Sequence, residues 1–474
     1  MIDINNIQRI FFIGIGGIGM SALARYFKHK GAVVSGYDRT STPLTRQLEA
    51  EGILVHYYDD VALLDKSAQL VVYTPAIPVL HTQLNWYKTR QYHLVKRSEV
   101  LGMITEGNFN ICVAGTHGKT SISTMIAHLL KHTRYGCNAF LGGISVNYNT
   151  NFWASDKQVC VIEADEYDRS FLKLNPDVSI ITSMDADHLD IYHTADALED
   201  AFVQFAGKTK ADGILIRKHT LLRLNEAMVR RMLTYQLNQA DGISLCGHDD
   251  EKHHHHDDHP DVYASNIVAT GQGYRFDAFV SGEWIRDIVL HAGGLHNVEN
   301  MLVAIVVARL LKLNPEVIKE AVAAYKGVRR RFQWVLDGEG GTPVLIDDYA
   351  HHPQELEALL NGVKSLYQGK RIAILFQPHL FTRTRDFAAG FAQSLSLADE
   401  VCLLPIYPAR ELPLEGVSSA TIAALMQRVQ LVEKAGIEDW IMQTDADVFV
   451  TAGAGDIDAE LTLISNTLRK KYMK

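Results

Sequence analysis

Lys119 and Thr120 close a glycine-bracketed turn, Gly115-Thr116-His117-Gly118-Lys119-Thr120-Ser121, that follows the apolar run Ile111 to Ala114. Ile122, Met125, Ile126, Leu129 and Leu130 then recur at helical spacing. A buried strand, a glycine turn and a helix N-terminus make an anion cradle, because free backbone N–H groups and the helix dipole both face the ligand. Lys119 adds a mobile cation, and the Thr120 hydroxyl stands where it can ligate Mg²⁺ beside phosphates. The spacing is a shortened phosphate loop, G-x-x-G-K-T, because Val113 stands where the longer pattern has its first glycine.

Carboxylates come next. Glu163, Asp165, Glu166 and Asp168 follow the apolar strand Val159 to Ile162. Four acids within six residues repel one another unless a cation sits among them, and a strand-end carboxylate beside a phosphate loop can hold Mg²⁺. Ser179 to Thr182 reads as another strand, leading to His188 between Asp187 and Asp190. That histidine suits a second cation or the γ-phosphate, or else a structural role. Asn297 and Asn300 share one face at the start of a helix read over Met301 to Leu311. They could read a base edge or cap the helix. Gly142-Gly143 reads as a tight turn, and the histidine-rich stretch 247–260 as a solvated loop tip.

A second glycine set lies earlier. The strand Arg9 to Ile13 runs into Gly14-Ile15-Gly16-Gly17-Ile18-Gly19-Met20, a G-x-G-x-x-G pattern with Leu23, Ala24 and Phe27 on one face of the following helix. The strand Ala32 to Tyr37 ends at Asp38, where a dinucleotide fold places a ribose-binding carboxylate. A nucleotide diphosphate fits such a loop, NAD and UDP alike. Leu70 to Tyr73 ends in Thr74-Pro75-Ala76, so Thr74 and Ala76 are candidate backbone contacts beyond a strand C-terminus. Lys96-Arg97-Ser98-Glu99 either faces that diphosphate or starts a helix.

In the last third, four apolar strands deliver polar ends: Val344 to Ile346, Ile372 to Phe376, Val401 to Leu404 and Val448 to Val450. They lead to Asp347-Asp348-Tyr349-Ala350-His351-His352, to Gln377-Pro378-His379-Leu380 with Arg383, to Pro405 through Arg410, and to Thr451 through Asp456. Gly327 to Phe332 reads as a linker carrying Arg329, Arg330 and Arg331.

The elements that must position these residues alternate strand and helix three times. At about 150 residues per domain, 474 residues suggest three. The fold class is α/β, with an N-terminal Rossmann-like domain (1–105), a central P-loop ATPase-like mixed sheet (106–325) and a C-terminal Rossmann-like domain (326–474). The polar stretch Thr105 to Asn110 marks the first boundary. A net charge of −9 argues against a nucleic-acid surface. No apolar run of about eighteen residues points to a membrane span. The N-terminus shows no secretion signal, and five scattered cysteines without a C-x-x-C fit a reducing cytoplasm.

The order and spacing of Gly14 to Met20, Gly115 to Thr120, Glu163-Ala164-Asp165-Glu166, His296-Asn297-x-x-Asn300 and Asp348-Tyr349-Ala350-His351-His352-Pro353 resemble the Mur ligase family over nearly the whole chain. The resemblance implies ATP-dependent ligation of L-alanine to the lactyl carboxylate of UDP-N-acetylmuramate through an acyl phosphate, with ATP and two Mg²⁺. It implies that Gly16, Gly17, Ile18, Gly19, Met20, Asp38, Thr74 and Ala76 hold the UDP-sugar. Lys119 would meet the β,γ-phosphates, Thr120 and Glu163 one Mg²⁺, and His188 the second. Asn297 and Asn300 would lie by the adenine, and Arg331 and Asp348 by the nucleotide. Tyr349, His351, His379 and Arg383 would surround the alanine, with His351 or His379 a candidate base, as the C-terminal domain closes over both ligands. Phe202 stands where relatives that add later residues carry a carbamylated lysine, so none is expected; Leu380 stands where many alanine-adding relatives have arginine. The expected state is a cytoplasmic monomer or homodimer. A ligase joining a preformed peptide to the same sugar is the neighbouring alternative. An NAD-binding dehydrogenase or a nucleotide-sensing regulator would use the first glycine loop and leave the second without a task.

Overall fold

The computed structural model describes residues 4–186, 189–237, 259–409 and 411–472. Its first sheet has five strands, in the order Leu54–His56, Val33–Tyr37, Arg9–Ile13, Leu70–Tyr73 and Leu94–Lys96, all parallel. The chain reverses direction of winding between Arg9–Ile13 and Leu70–Tyr73, and a crevice opens beyond strand C-termini at such a point. Gly14 to Met20 and Thr74 to Ile77 lie there. Phe11 and Ile13 pack one face of the sheet while Ile10 and Phe12 pack the other, which is why this strand reads as a continuous apolar run.

The second sheet is mixed and ten-stranded. The phosphate-loop strand Phe109–Ala114 lies between Val159–Glu163 and Val178–Ile181, parallel to both, while Asn138–Ser145 pairs antiparallel with Thr150–Trp153. Gly142 and Gly143, expected in a turn, lie inside Asn138–Ser145 where its pairing register shifts, so the glycines mark an irregular strand instead. The third sheet has six strands, led by Gln333–Asp337 antiparallel to Val344–Asp348 and continuing in parallel through Val448–Ala452, Ile372–Phe376, Glu400–Leu403 and Gln430–Leu431.

The chain forms two compact units. One comprises Met1–Ser265, Ala278–Arg286 and Asn300–Val322; the other comprises Asn266–Asp277, Asp287–Glu299 and Ala323–Lys474. Within the first unit one continuous core joins the first sheet to the second. Helix Ile18–His29, which begins at the first glycine loop, sets Tyr26 against Phe140 and Phe152 at 5.7 and 6.2 Å. Buried Arg25 meets Glu51 through Nε at 2.8 Å and also donates to Asn151 Oδ1. The Asn151 amide donates in turn to Ile18 O and Ser21 Oγ. A buried charge is tolerated because every partner in this chain is satisfied, which fixes the first cradle's helix on the sheet that carries the second. Among the described residues no helix is long and apolar enough to cross a membrane. Cys112, Cys137, Cys160 and Cys402 are buried thiols.

Candidate functional site

Gly115 leaves its strand with φ +127°, and a Cβ there would lie 2.0 Å from Thr182 Oγ1. Only glycine satisfies both conditions. Thr116 Oγ1 meets Ser183 Oγ at 2.9 Å, Ser183 Oγ accepts from His117 N at 2.9 Å, and Thr182 Oγ1 donates to His117 O. The loop is thus stapled to the end of the neighbouring strand. Thr182 and Ser183 do this work and were not among the expected site residues; their only sequence signal is their place after a strand beside the loop. Gly118 caps helix Lys119–His132, leaving first-turn N–H groups to face the cradle.

Lys119 Nζ donates to Glu166 Oε1 at 2.8 Å and to Gly115 O at 2.6 Å. Burial alone would lower its pKa, but Glu166, and behind it Asp165 and Glu163, outweigh burial and hold it above the ordinary lysine value. Thr120 Oγ1 donates to Glu163 Oε1 at 2.9 Å, and Gly142 N donates to Glu163 Oε2 at 2.9 Å. Burial raises the Glu163 pKa despite Lys119 and these donors. A part-buried carboxylate held up in this way is one that a cation would bring down, and a hydroxyl stands beside it, so Thr120 and Glu163 fit Mg²⁺. Among the described residues no three His, Cys, Asp or Glu side chains converge as a metal cage. Phosphate oxygens and water would complete the shell, as is usual for this ion.

Three of the four acids therefore take different partners: Glu166 pairs with Lys119, Glu163 with Thr120, and Asp165 lies 3.6 Å from Arg97. Side-chain cations take part of the role expected of a metal. His188, and the histidine-rich stretch apart from His259 and Pro260, lie outside the described residues. Phe202 is fully buried edge-on against Phe171, so that position holds core and no lysine.

The helix expected from Met301 begins at Leu295. Asn297 is therefore inside the first turn, its amide donating to Gly293 O at 2.7 Å, and it behaves as a terminus-satisfying residue. Asn300 lies over the phosphate loop: its Oδ1 is 3.1 Å from where a Gly118 Cβ would be.

In the first cradle, Gly17 caps helix Ile18–His29. The Asp38 carboxylate accepts Gly16 N at 2.7 Å and so braces the loop itself. The expected ribose contact would have to share that carboxylate. Thr74 and Ile77 pack against Gly14. Arg97 opens helix Arg97–Thr105, with Glu99 accepting Lys96 N at 2.9 Å, so the run 96–99 is a helix start.

In the second unit, Gly327 to Phe332 is more than a linker. Arg330 stacks on Tyr349 at 5.0 Å and donates to Gly455 O at 3.0 Å, and Arg331 lies 5.3 Å over the same ring. Asp348 accepts Phe332 N at 2.6 Å and Ala350 N at 2.7 Å; burial raises its pKa to about 6, with Arg331 opposing. Asp347 is fully buried beside Thr451, and its pKa is raised to about 7. His351 Nδ1 is 3.0 Å from Tyr349 O and 3.2 Å from Glu355, and burial lowers its pKa, which favours the neutral ring. Its ring centroid is 6.0 Å from that of His379, which stacks on Tyr407 at 5.9 Å. Leu380 takes φ +68° at the start of helix Phe381–Asp386, which carries Arg383. The structure brings Arg331, Asp348, Tyr349, His351 and His379 together beyond the C-terminal ends of the third sheet's parallel strands.

Two glycine cradles on parallel strands, one armed with a lysine and a hydroxyl–carboxylate pair, define a protein that handles phosphorylated ligands at two places. Residues 9–108 match the Mur ligase family catalytic domain, residues 113–308 the Mur ligase middle domain, and residues 330–455 the Mur ligase glutamate ligase domain. The chain is 43% identical to the UDP-N-acetylmuramate–L-alanine ligase of Christiangramia forsetii, over 99% of each chain. It is 45% identical to the enzyme of the same name from Porphyromonas gingivalis, over 95% of this chain and 97% of that one. A solved UDP-N-acetylmuramate–alanine ligase from Thermotoga maritima shares the fold, with a TM-score of 0.78 at 24% identity over 98% of this chain and 99% of that one. The chain belongs to the Mur ligase family.

Proposed function

We propose that this chain joins L-alanine to the lactyl carboxylate of UDP-N-acetylmuramate at the expense of ATP, in the synthesis of peptidoglycan precursors. The observation that carries it is the Lys119–Glu166 pair beside Thr120–Glu163, set in the same unit as a second glycine cradle. The identity to alanine-adding ligases over the full chain supports the choice of substrates.

A carboxylate is inert toward amines because oxide is a poor leaving group. A lactyl oxygen therefore bonds to the γ-phosphorus as the bond from that phosphorus to ADP breaks. The amine of alanine then bonds to the acyl carbon, phosphate leaves with the C–O electron pair, and the nitrogen gives up a proton. Gly115 to Ser121 hold the triphosphate, and Lys119 neutralises its β,γ-oxygens. Thr120 and Glu163 would hold one Mg²⁺, and His188 is assigned to a second; bound there, the ions would supply charge neutralisation on the transferring group. Asn297, Asn300, Arg331 and Asp348 are assigned to the nucleotide. Gly16 to Met20, Asp38, Thr74 and Ala76 are assigned to the UDP-sugar. Tyr349, His351, His379 and Arg383 are assigned to alanine, with the neutral His351 as proton acceptor. Domains at 1–105, 106–325 and 326–474, a cytoplasmic location and a monomer or homodimer complete the reading.

Phosphate release is the test. ATP, Mg²⁺ and UDP-N-acetylmuramate should give turnover with L-alanine and little with the tripeptide L-alanyl-γ-D-glutamyl-meso-diaminopimelate. Turnover with the tripeptide alone would make this a recycling ligase. A melting temperature raised by NAD and not by UDP would sink the ligase reading.

A further inference from the structure

Arg97 stands between the two cradles without a firm partner in either. Its guanidinium presses on the first turn of helix Ile18–His29: a Cβ on Gly19 would lie 2.8 Å from Nη1, so the glycine is what admits it. On its other side Nη2 is 3.6 Å from Asp165 Oδ2, beyond hydrogen-bond reach. Both side chains are part-exposed, 24% and 40%. Arg97, Ser98, Glu163 and Asp165 line one cleft together with the apolar side chains of Leu101 and Phe171. Glu163 is also the carboxylate bonded to Thr120, so Arg97, which packs on Gly19 of the first cradle, shares a cleft with the carboxylate assigned to magnesium in the second.

On the ligation reading, an acid attached to a nucleotide on Gly16 to Met20 has to reach a γ-phosphate held by Lys119 and Thr120. This cleft has Arg97, which packs on Gly19, on its lining with Glu163, the partner of Thr120. Two anions then converge next to Glu163 and Asp165, four negative groups in one place. Arg97 is the guanidinium that lines the cleft, and its planar fork matches a carboxylate better than a lysine would.

We propose that Arg97 binds the carboxylate to be phosphorylated, leaving its long contact with Asp165, and stays on the acyl phosphate as it forms. This rests on the ligation reading above. The lactyl oxygen bonds to the γ-phosphorus, the bond to ADP breaks with its electron pair leaving on ADP, and Arg97 keeps all its protons. The arginine thereby reads the lactyl acid, and the glycine loop reads the diphosphate.

The test compares UDP-N-acetylmuramate with UDP-N-acetylglucosamine, which carries the same diphosphate and lacks the lactyl acid. Calorimetry on the full chain should show R97Q losing affinity for the first by about tenfold or more and for the second by less than about twofold. In R97K, kcat/KM for the acid should recover at least several-fold over R97Q, with the melting temperature of both variants close to that of the parent. Equal losses for both sugars would assign Arg97 to the diphosphate and overturn the proposal. R97Q turnover within about threefold of the parent would overturn it as well. Absence of alanine ligation in the parent protein, with the sugar preference intact, would count against the ligation reading and leave the binding result standing.

Discussion

The two glycine cradles share a plan and differ in charge. Each follows a parallel strand, turns on glycine and ends on a helix N-terminus. In the first, the carboxylate of Asp38 takes a loop N–H, and the opening turn of the helix carries no cation of its own, Arg97 packing on it from another helix. In the second, Lys119 pairs with buried Glu166, and Thr120 is tied to Glu163. Backbone N–H groups suffice to hold a phosphate that stays intact. Breaking a phosphate bond requires charge that follows the transferring group, and only the second cradle carries it.

Removing that charge is the strongest way to break the contrast. Lys119→Ala should lower ATP-dependent phosphate release by about a thousandfold or more, while UDP-sugar binding measured by calorimetry stays within about twofold. The variant also removes the cation paired with buried Glu166, and breaking a buried ion pair costs about 3–5 kcal/mol of stability. The double variant Lys119→Ala/Glu166→Gln should regain melting temperature and remain inactive. Near-normal turnover in either protein would show that the lysine has no part in the chemistry.

The glycines give a smaller and more local comparison. Gly115→Ala adds a Cβ 2.0 Å from Thr182 Oγ1 at φ +127°, so ATP affinity should fall at least about tenfold and the melting temperature by several degrees. Gly17 has φ −63° and its nearest neighbour would be 3.4 Å from an added Cβ, so Gly17→Ala should change UDP binding less than about twofold. Equal sensitivity at the two positions would contradict the difference in backbone crowding between Gly115 and Gly17.

Proton linkage is the mildest test. Burial raises the Glu163 pKa, so this group takes up a proton at a higher pH than an ordinary glutamate does. Cation binding needs the carboxylate, so Mg²⁺-dependent ATP affinity should weaken several-fold as pH falls from 8 toward 5.5. Glu163→Gln should lower that affinity at pH 8 and flatten its pH dependence. UDP affinity in the same titration supplies the control, and a parallel fall in both would refute the assignment.

Much of this was legible in the residues because strand, glycine turn and helix are contiguous in sequence. Arg9–Ile13, Leu70–Tyr73 and Ile372–Phe376 fall where the apolar runs place them. Contacts made across the fold were not legible. Nothing near Lys119 in sequence says that Glu166, forty-seven residues on, is its partner among four candidate acids. Ser183 and Thr182 staple the loop only because their strand lies beside Phe109–Ala114 in the sheet. Gly142-Gly143 misled because two glycines signal a turn locally, whereas the strand there must bring Gly142 N to Glu163. The helix at Leu295 begins earlier than its apolar stripe, since Gly293-Gly294 ends the preceding segment and Asn297 satisfies the first turn.

The ammonium of Lys119 already has a counter-ion before any ligand arrives. On the proposed assignment of Lys119 to ATP, an entering polyphosphate competes with Glu166 for it, so selectivity at this position is a contest of charge density, in which a triphosphate outranks a monophosphate or a lone sulfate. On that assignment the same carboxylate re-neutralises the lysine when ADP departs. A bare cation is never left facing solvent, and the vacated cradle has little to offer passing anions between turnovers.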